Sequence, residues 1–327
     1  MTETRVVVQP QSRLEGSPAE PVGRPATAQR SRGPRHRASR PRSLFRDAWH
    51  DLRRNPVFIG SVVVIVLLVT IAAFPGLFTN ASPTFCDLTF SRQGPSVSAW
   101  FGYDVQGCDV YARTIYGARA SILVGVLSTV GIVLIGGLIG MLAGFYGRWV
   151  DSVLSRFLEI FYGIPFLLGG ILVLASFPSG AGTPEWVTIG KVALTLSVLG
   201  WTALARIMRS TVLQVRHADY VQAARGLGAS GPRLLRRHVL PNAMASVIVY
   251  ATIILGVLIA VEATLSYLGI GLQPPVVSWG VDISHATTYI RQSPHMLLFP
   301  ATFLSVTVLA FIMLGDAVRD ALDPKLR

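Results

Sequence analysis

Asp219–Asn242 reads DYVQAARGLGASGPRLLRRHVLPN, the only long polar, basic stretch lying between two hydrophobic spans. Tyr220-Val-Gln-Ala-Ala-Arg favours helix, Gly226 to Gly231 breaks it, and the chain restarts after Pro232. Ser230 stands where a helix N-cap is wanted, with Pro232 in the first turn, where a missing N–H costs little. Pro241 disfavours helical geometry at Leu240, so the second helix is expected to stop near Val239. The stretch therefore reads as helix, glycine turn, helix. Ala223 and Ala224 are small and Gly228 is flexible, which lets another protein's surface approach the backbone closely. An ordinary basic loop on the inner side of a membrane has the same composition. From the residues alone both readings stand.

Composition places the stretch in context. Apolar residues make up 51% of the 327 positions and charged ones only 14%, and the mean hydropathy is +0.52. That balance belongs to an integral membrane protein. The net charge of +12 invites a nucleic-acid reading. The basic residues, however, gather in the first 54 positions and in polar loops flanking apolar spans, so nucleic acid is not expected as a partner. Lysine occurs only at 191 and 325. A phosphate-binding P-loop needs a Gly-Lys pair followed by Ser or Thr. Gly190-Lys191 is followed by Val192, and Glu185 stands where the first glycine belongs. Walker-type ATP hydrolysis is excluded, and any nucleotide energy must come from a partner.

Six spans are expected. Residues 1–43 are rich in Arg, Pro, Ser and Ala and read as a disordered basic cytoplasmic tail, solvated or resting on anionic lipid. Residues 44–78 hold an interfacial helix, with Leu44, Phe45, Trp49 and Leu52 on one face, and the first span, Val57 to Phe78. Residues 79–117 form an extracytoplasmic loop carrying the only two cysteines, Cys86 and Cys108. On the oxidising side these either form a bridge, worth roughly 3 kcal/mol by chain entropy, or remain two free thiols. The core transmembrane domain, 118–316, holds the other spans: Ala120–Gly144, Phe157–Phe177 interrupted by Pro165, Val187–Met208, Ala243–Ile270 and Met296–Gly315. Tyr146–Arg156 reads as a short turn, Gly271–Pro294 as an external loop, and 317–327 as a cytoplasmic tail. Gly136, Gly140 and Gly144 repeat at the spacing of a close helix-packing face. Arg206 to His238 alone carries seven Arg, more than the three external loops together, which puts this loop and both termini inside.

Two acids fall in or near spans. Glu262 lies well within the fifth, where burying a charge is costly, so it reads either as a pathway-lining or interhelical contact or as a group at the external mouth. Glu159 sits close to the inner end of the third and is within reach of Arg156; it is the second candidate for the pathway. No nucleophile–base set or metal-ligand spacing emerges.

The segment Gln222-Ala223-Ala224, Gly228, Leu240-Pro241 resembles the EAA loop of ABC-importer permeases, with Gln222 where that family usually has Glu. Over residues 44–325 the chain is similar to the C-type permease of oligopeptide and dipeptide importers. Further matches are Phe101-Gly-Tyr-Asp, Glu262-Ala-Thr-Leu-Ser-Tyr-Leu-Gly, Gln273-Pro-Pro, Ser278-Trp-Gly and the Leu-Asp-Pro ending. Where the family has Gly-Arg-Asp, Cys108 takes the Arg position. The resemblance implies an all-α membrane protein, a six-helix type I importer bundle with a cytoplasmic coupling helix, in the bacterial inner membrane. It implies that Tyr220, Gln222, Ala223, Ala224, Arg225, Gly226, Leu227, Gly228 and Ala229 meet an ATPase. It also implies a second homologous permease, one or two ABC ATPase subunits holding ATP and Mg, an extracytoplasmic binding protein, and no cofactor on this chain. Short peptides are the expected cargo; nickel and oligosaccharides travel on the same scaffold. An ion-gradient-driven transporter would need mid-membrane ionisable relays, for which only Glu262 serves, and inverted repeats, which are not visible. A membrane-anchored enzyme built on 79–117 would need a catalytic set which that short loop lacks.

Overall fold

The computed structural model describes residues 44–180 and 182–322; the tail expected over 1–43, the last residues of the 317–327 tail and the side chains of 44–47 fall outside them. Asn55 caps helix α2 by accepting the Val57 and Phe58 N–H groups, and the preceding helix α1 spans Leu44–Leu52. Ala48 and Leu52 are the buried side of α1, while Trp49 is half exposed and meets Phe58 edge-on. Helix α2 (Pro56–Ala73) ends where the Arg119 guanidinium takes the Ala72 and Ala73 carbonyls.

Helix α3 (Val110–Tyr146) starts ten residues before the expected span, because Asp109 accepts the Tyr111 and Ala112 N–H groups and caps it there. The third span is not a straight rod. Helix α4 (Arg148–Tyr162) absorbs most of the expected turn and meets α5 (Phe166–Ser176) at a bend of 79° at Pro165. Helix α6 covers Glu185–Arg216; α7 (Asp219–Gly226) and α8 (Gly231–Leu234) follow. Helices α9 (Leu240–Tyr267), α10 (Trp279–Thr287) and α11 (His295–Leu322) complete the order. Among the described residues five helices are long and apolar enough to cross a membrane, or six counting the bent pair as one span.

Helices α3 and α6 run parallel and close. Gly136 faces the Trp201 carbonyl, Gly140 the Ala205 carbonyl and Gly144 the Arg209 carbonyl. Only the missing Cβ lets two backbones approach so nearly. Helix α9 runs antiparallel to both, with Gly125 against Ile259, and α11 returns beside it, with Gly256 against Val308 and Phe311. Val124, Leu196, Leu204, Leu258 and Leu265 fill the centre. Two ends result: one carries α7 and α8, the other residues 74–109 and α10.

Helix α10 lies in the stretch expected to be an external loop. Ser278 caps it, Trp279 is fully buried with its indole N–H donating to the Thr114 carbonyl at 2.9 Å, and Asp282 takes the Arg113 Nε at 2.9 Å. Burial pushes the Asp282 carboxyl up, and Arg113 opposes that rise. At the same end Cys86 and Cys108 are joined, S–S 1.98 Å.

Gly140→Ala would set its Cβ 2.9 Å from the Met208 Cβ and closer still to the Ala205 carbonyl, whereas at Gly137 nothing lies within 4 Å. The former is expected to cost about 1–3 kcal/mol and lower the melting midpoint in detergent; Gly137→Ala should leave it unchanged. A nonreducing peptide map of the native protein is expected to return Cys86 and Cys108 as one linked pair, and two alkylatable thiols would contradict it.

Candidate partner-docking site

At the end of α6 the backbone carbonyls have no helical partners left, and the side chains there supply them. Gln222 Nε2 donates to the Arg216 carbonyl at 3.1 Å. A glutamate at this position would have no N–H to give, so Gln222 performs a capping task that a carboxylate cannot. Arg216 Nη1 in turn donates to the Gly144 carbonyl at 2.8 Å, tying the end of α6 to the end of α3. About two turns back, Arg209 grips Asp151 of α4 with two bonds, Nε to Oδ1 at 2.5 Å and Nη2 to Oδ2 at 2.7 Å. The root of the loop is thus fixed to two helices.

Helix α7 has Asp219 in its first turn and Arg225 in its last, charges that complement the helix dipole. Val221 is fully buried and pins one side. Gln222, Ala223, Arg225, Gly226, Leu227 and Gly228 are exposed on the other; Ala224 and Ala229 are partly covered. Leu227 is 90% exposed and Tyr220 half exposed, its ring 6.4 Å from that of His238. The helix closes with a Schellman motif: the Ala229 N–H reaches the Ala224 carbonyl at 3.1 Å and the Gly228 N–H that of Arg225 at 3.0 Å. Gly228 carries φ of 84° with no atom within 4 Å of a would-be Cβ. Glycine is therefore needed for backbone shape, and the space beside it is open.

Ser230 stands at the N-cap of α8 as expected, but its side chain makes no capping bond. The expected stop at Val239 is overturned. Leu235–Val239 form a π turn, Leu240 keeps right-handed helical angles, and α9 runs on through Pro241. The wider turn takes up the proline's missing N–H, and Leu234 and Val239, both buried, hold it against the core. Loop and span form one continuous piece.

The two acids lie apart from this surface. Glu159 is exposed and pairs with Arg156 at 2.8 Å. Glu262 is fully buried near the far end of α9; Oε1 accepts from Ser266 at 2.7 Å, and Oε2 has no hydrogen-bond partner among the described residues. Among the described residues no three His, Cys, Asp or Glu side chains gather as a metal site. The roles of Gln222, Arg216 and the Arg209–Asp151 pair had no sequence signal beyond being polar residues beside a span.

An exposed, glycine-closed helix on a root clamped to α3 and α4 is a rigid handle on a membrane bundle. Residues 136–327 match the family model described as the binding-protein-dependent transport system inner membrane component. The chain belongs to this family. Residues 43–95 match a second model, the N-terminal TM domain of oligopeptide transport permease C. The dipeptide transport system permease protein DppC of Bacillus subtilis (strain 168) is 39% identical over 287 residues, 87% of either chain. The oligopeptide transport system permease protein OppC of the same organism is 38% identical, covering 87% of this chain and 91% of its own. A solved MetNI methionine ABC transporter in an inward-facing conformation has a chain that superposes with TM-score 0.52 at 19% identity, over 64% of this chain and 96% of that one. The fold is that of a type I importer permease. The chain is a multi-pass inner membrane transport subunit, not an enzyme, and ATP is hydrolysed on separate subunits.

Val221→Ala is expected to cost about 2 kcal/mol, from two lost buried methyl groups and the cavity they leave, and to lower the melting midpoint of the purified chain. Leu227→Ala, on the exposed side of the same turn, should leave that midpoint in place.

Proposed function

We propose that this chain is one of two permeases in an ATP-driven importer of short peptides, and that Tyr220–Ala229 is the surface on which an ATPase subunit docks. The loop and both chain ends then lie in the cytoplasm, and the end carrying the Cys86–Cys108 bridge faces a binding protein that delivers the peptide. One or two ATPases hold ATP and Mg. The peptide reading is supported by the dipeptide and oligopeptide permeases that the chain resembles over most of its length. The docking reading is carried by one observation: α7 is buried through Val221 alone and closed by an open Gly228, so its exposed side is available while its seat is fixed.

The mechanism follows from the connections. A force on α7 reaches α6 through Gln222 and Arg216, α4 through Arg209–Asp151, and α9 through the π turn. ATPases that close on ATP bind α7 differently in two bundle states and shift the balance between them. Glu262 and Glu159 remain proposals as pathway groups: the first would act within the packed seam of α3, α9 and α10, the second at an exposed surface.

Gly228→Arg is expected to abolish peptide uptake at wild-type membrane levels. Gly228→Asn should retain most of it, because Asn tolerates the left-handed backbone and adds little bulk. Uptake assays in cells, normalised by membrane immunoblot, decide the matter; normal uptake by Gly228→Arg would remove α7 as the docking surface.

A further inference from the structure

Two cavities open on α9. One, of about 450 Å³, is walled by the bend between α4 and α5 and by α6; the other, of about 440 Å³, lies between α6, α9 and the end of α11. They share a single residue, Tyr250. The α9 lining residues Ser246, Tyr250, Ile254, Val257 and Val261 recur every three or four positions, so they form one stripe about 22 Å long. That length covers most of an apolar membrane core.

Three observations bear on what occupies it. Ile164 and Pro165, in the non-helical break of the third span, form part of the upper wall. Non-helical backbone at membrane depth is tolerated only where it is buried in protein or lines an aqueous cavity, so this wall does not face lipid. Among the described residues the lining of both cavities contains no Asp, Glu or His. Its charge is positive: Arg319 lines the lower cavity, and Arg206 lies over the ring of Tyr162, 4.3 Å from its centroid, at the edge of the upper one.

We infer that this trough is the chain's half of the translocation pathway, with Tyr250 at its waist, and that it favours peptides with apolar side chains and a free carboxylate over net-positive peptides and metal cations. The inference rests on the peptide-import reading above for its substrate class, and on the cavities alone for its location. Apolar walls accept apolar side chains, and two guanidinium groups attract a carboxylate and repel a cation.

The test uses the assembled importer, with its second permease, ATPases and binding protein, in liposomes. The two native cysteines of this chain are joined, so Ile254→Cys and Val257→Cys each introduce its one free thiol, and labelling is read on this chain after it is separated from its partners. Both are expected to react with a charged, membrane-impermeant methanethiosulfonate, and Val63→Cys, on the exposed face of α2, only with a lipid-soluble maleimide. Reaction of positions 254 and 257 like that of 63, or failure of both to react with the charged reagent in the assembled importer, would overturn the location. For selectivity, the ratio of trilysine to trileucine uptake is measured with the same binding protein throughout. Ile254→Asp is expected to raise it about tenfold, the effect of one moderate charge pair, with Val257→Asp as the second variant should the first fail to fold. An unchanged ratio in a folded variant would overturn the selectivity. Water-accessible thiols in a complex that takes up neither peptide would refute the peptide reading and leave the trough's location standing.

Discussion

The close approach of α3 and α6 is the contact on which the rest depends. Gly136, Gly140 and Gly144 let α3 lie against the carbonyls of α6 from Trp201 to Arg209. In a bilayer no water drives helices together, so association rests on dispersion and on how nearly backbones can meet. A parallel pair packed this tightly fixes where α6 ends. It therefore fixes where Arg216 can reach back to the Gly144 carbonyl, and where α7 begins.

From that root two kinds of constraint diverge. The handle is held by polar contacts: Gln222 on the last turn of α6, and Arg209 on Asp151. The return into the membrane is held by apolar burial of Leu234 and Val239, strong enough to carry a helix through Pro241 by way of a π turn. The opposite end is closed differently. There α10 drives Trp279 between α3 and the rest of the bundle, and Arg113 engages Asp282. The bundle is thus clamped at one end and plugged at the other, with a trough down α9 between them.

Much of this was legible in the sequence. Apolar run length marked the membrane-crossing helices, five or six counting the bent pair, glycine spacing the α3 packing face, and glycines and charge the helix–turn–helix form of the loop. What escaped has common physical causes. Helix α10 sits in turn-rich, polar surroundings, and only its tertiary burial reveals that Trp279 is a core residue. The length of α4 was hidden because Arg148 and Arg156 look like loop charges, although Arg156 is exposed on a helix and pairs with Glu159. The rule that a residue before proline leaves the helix failed at Leu240 because it is local, and packing on both sides of Pro241 outweighs it. The start of α3 was set by one cap, Asp109, inside a stretch that reads as loop. Gln222 looked like a mere departure from a family pattern until its donor was seen on the Arg216 carbonyl.

The most direct measurement is a crosslink from Leu227, the most exposed side chain of the handle. With the native cysteines joined, Leu227→Cys in the membrane-assembled complex can be treated with a short heterobifunctional maleimide reagent and the products mapped by mass spectrometry. The expected partner is a chain bearing Walker motifs, with the yield changing when ATP is added. Adducts confined to this chain, to lipid or to the substrate-binding protein would contradict the assignment of α7 as the point where ATP-driven motion enters the bundle.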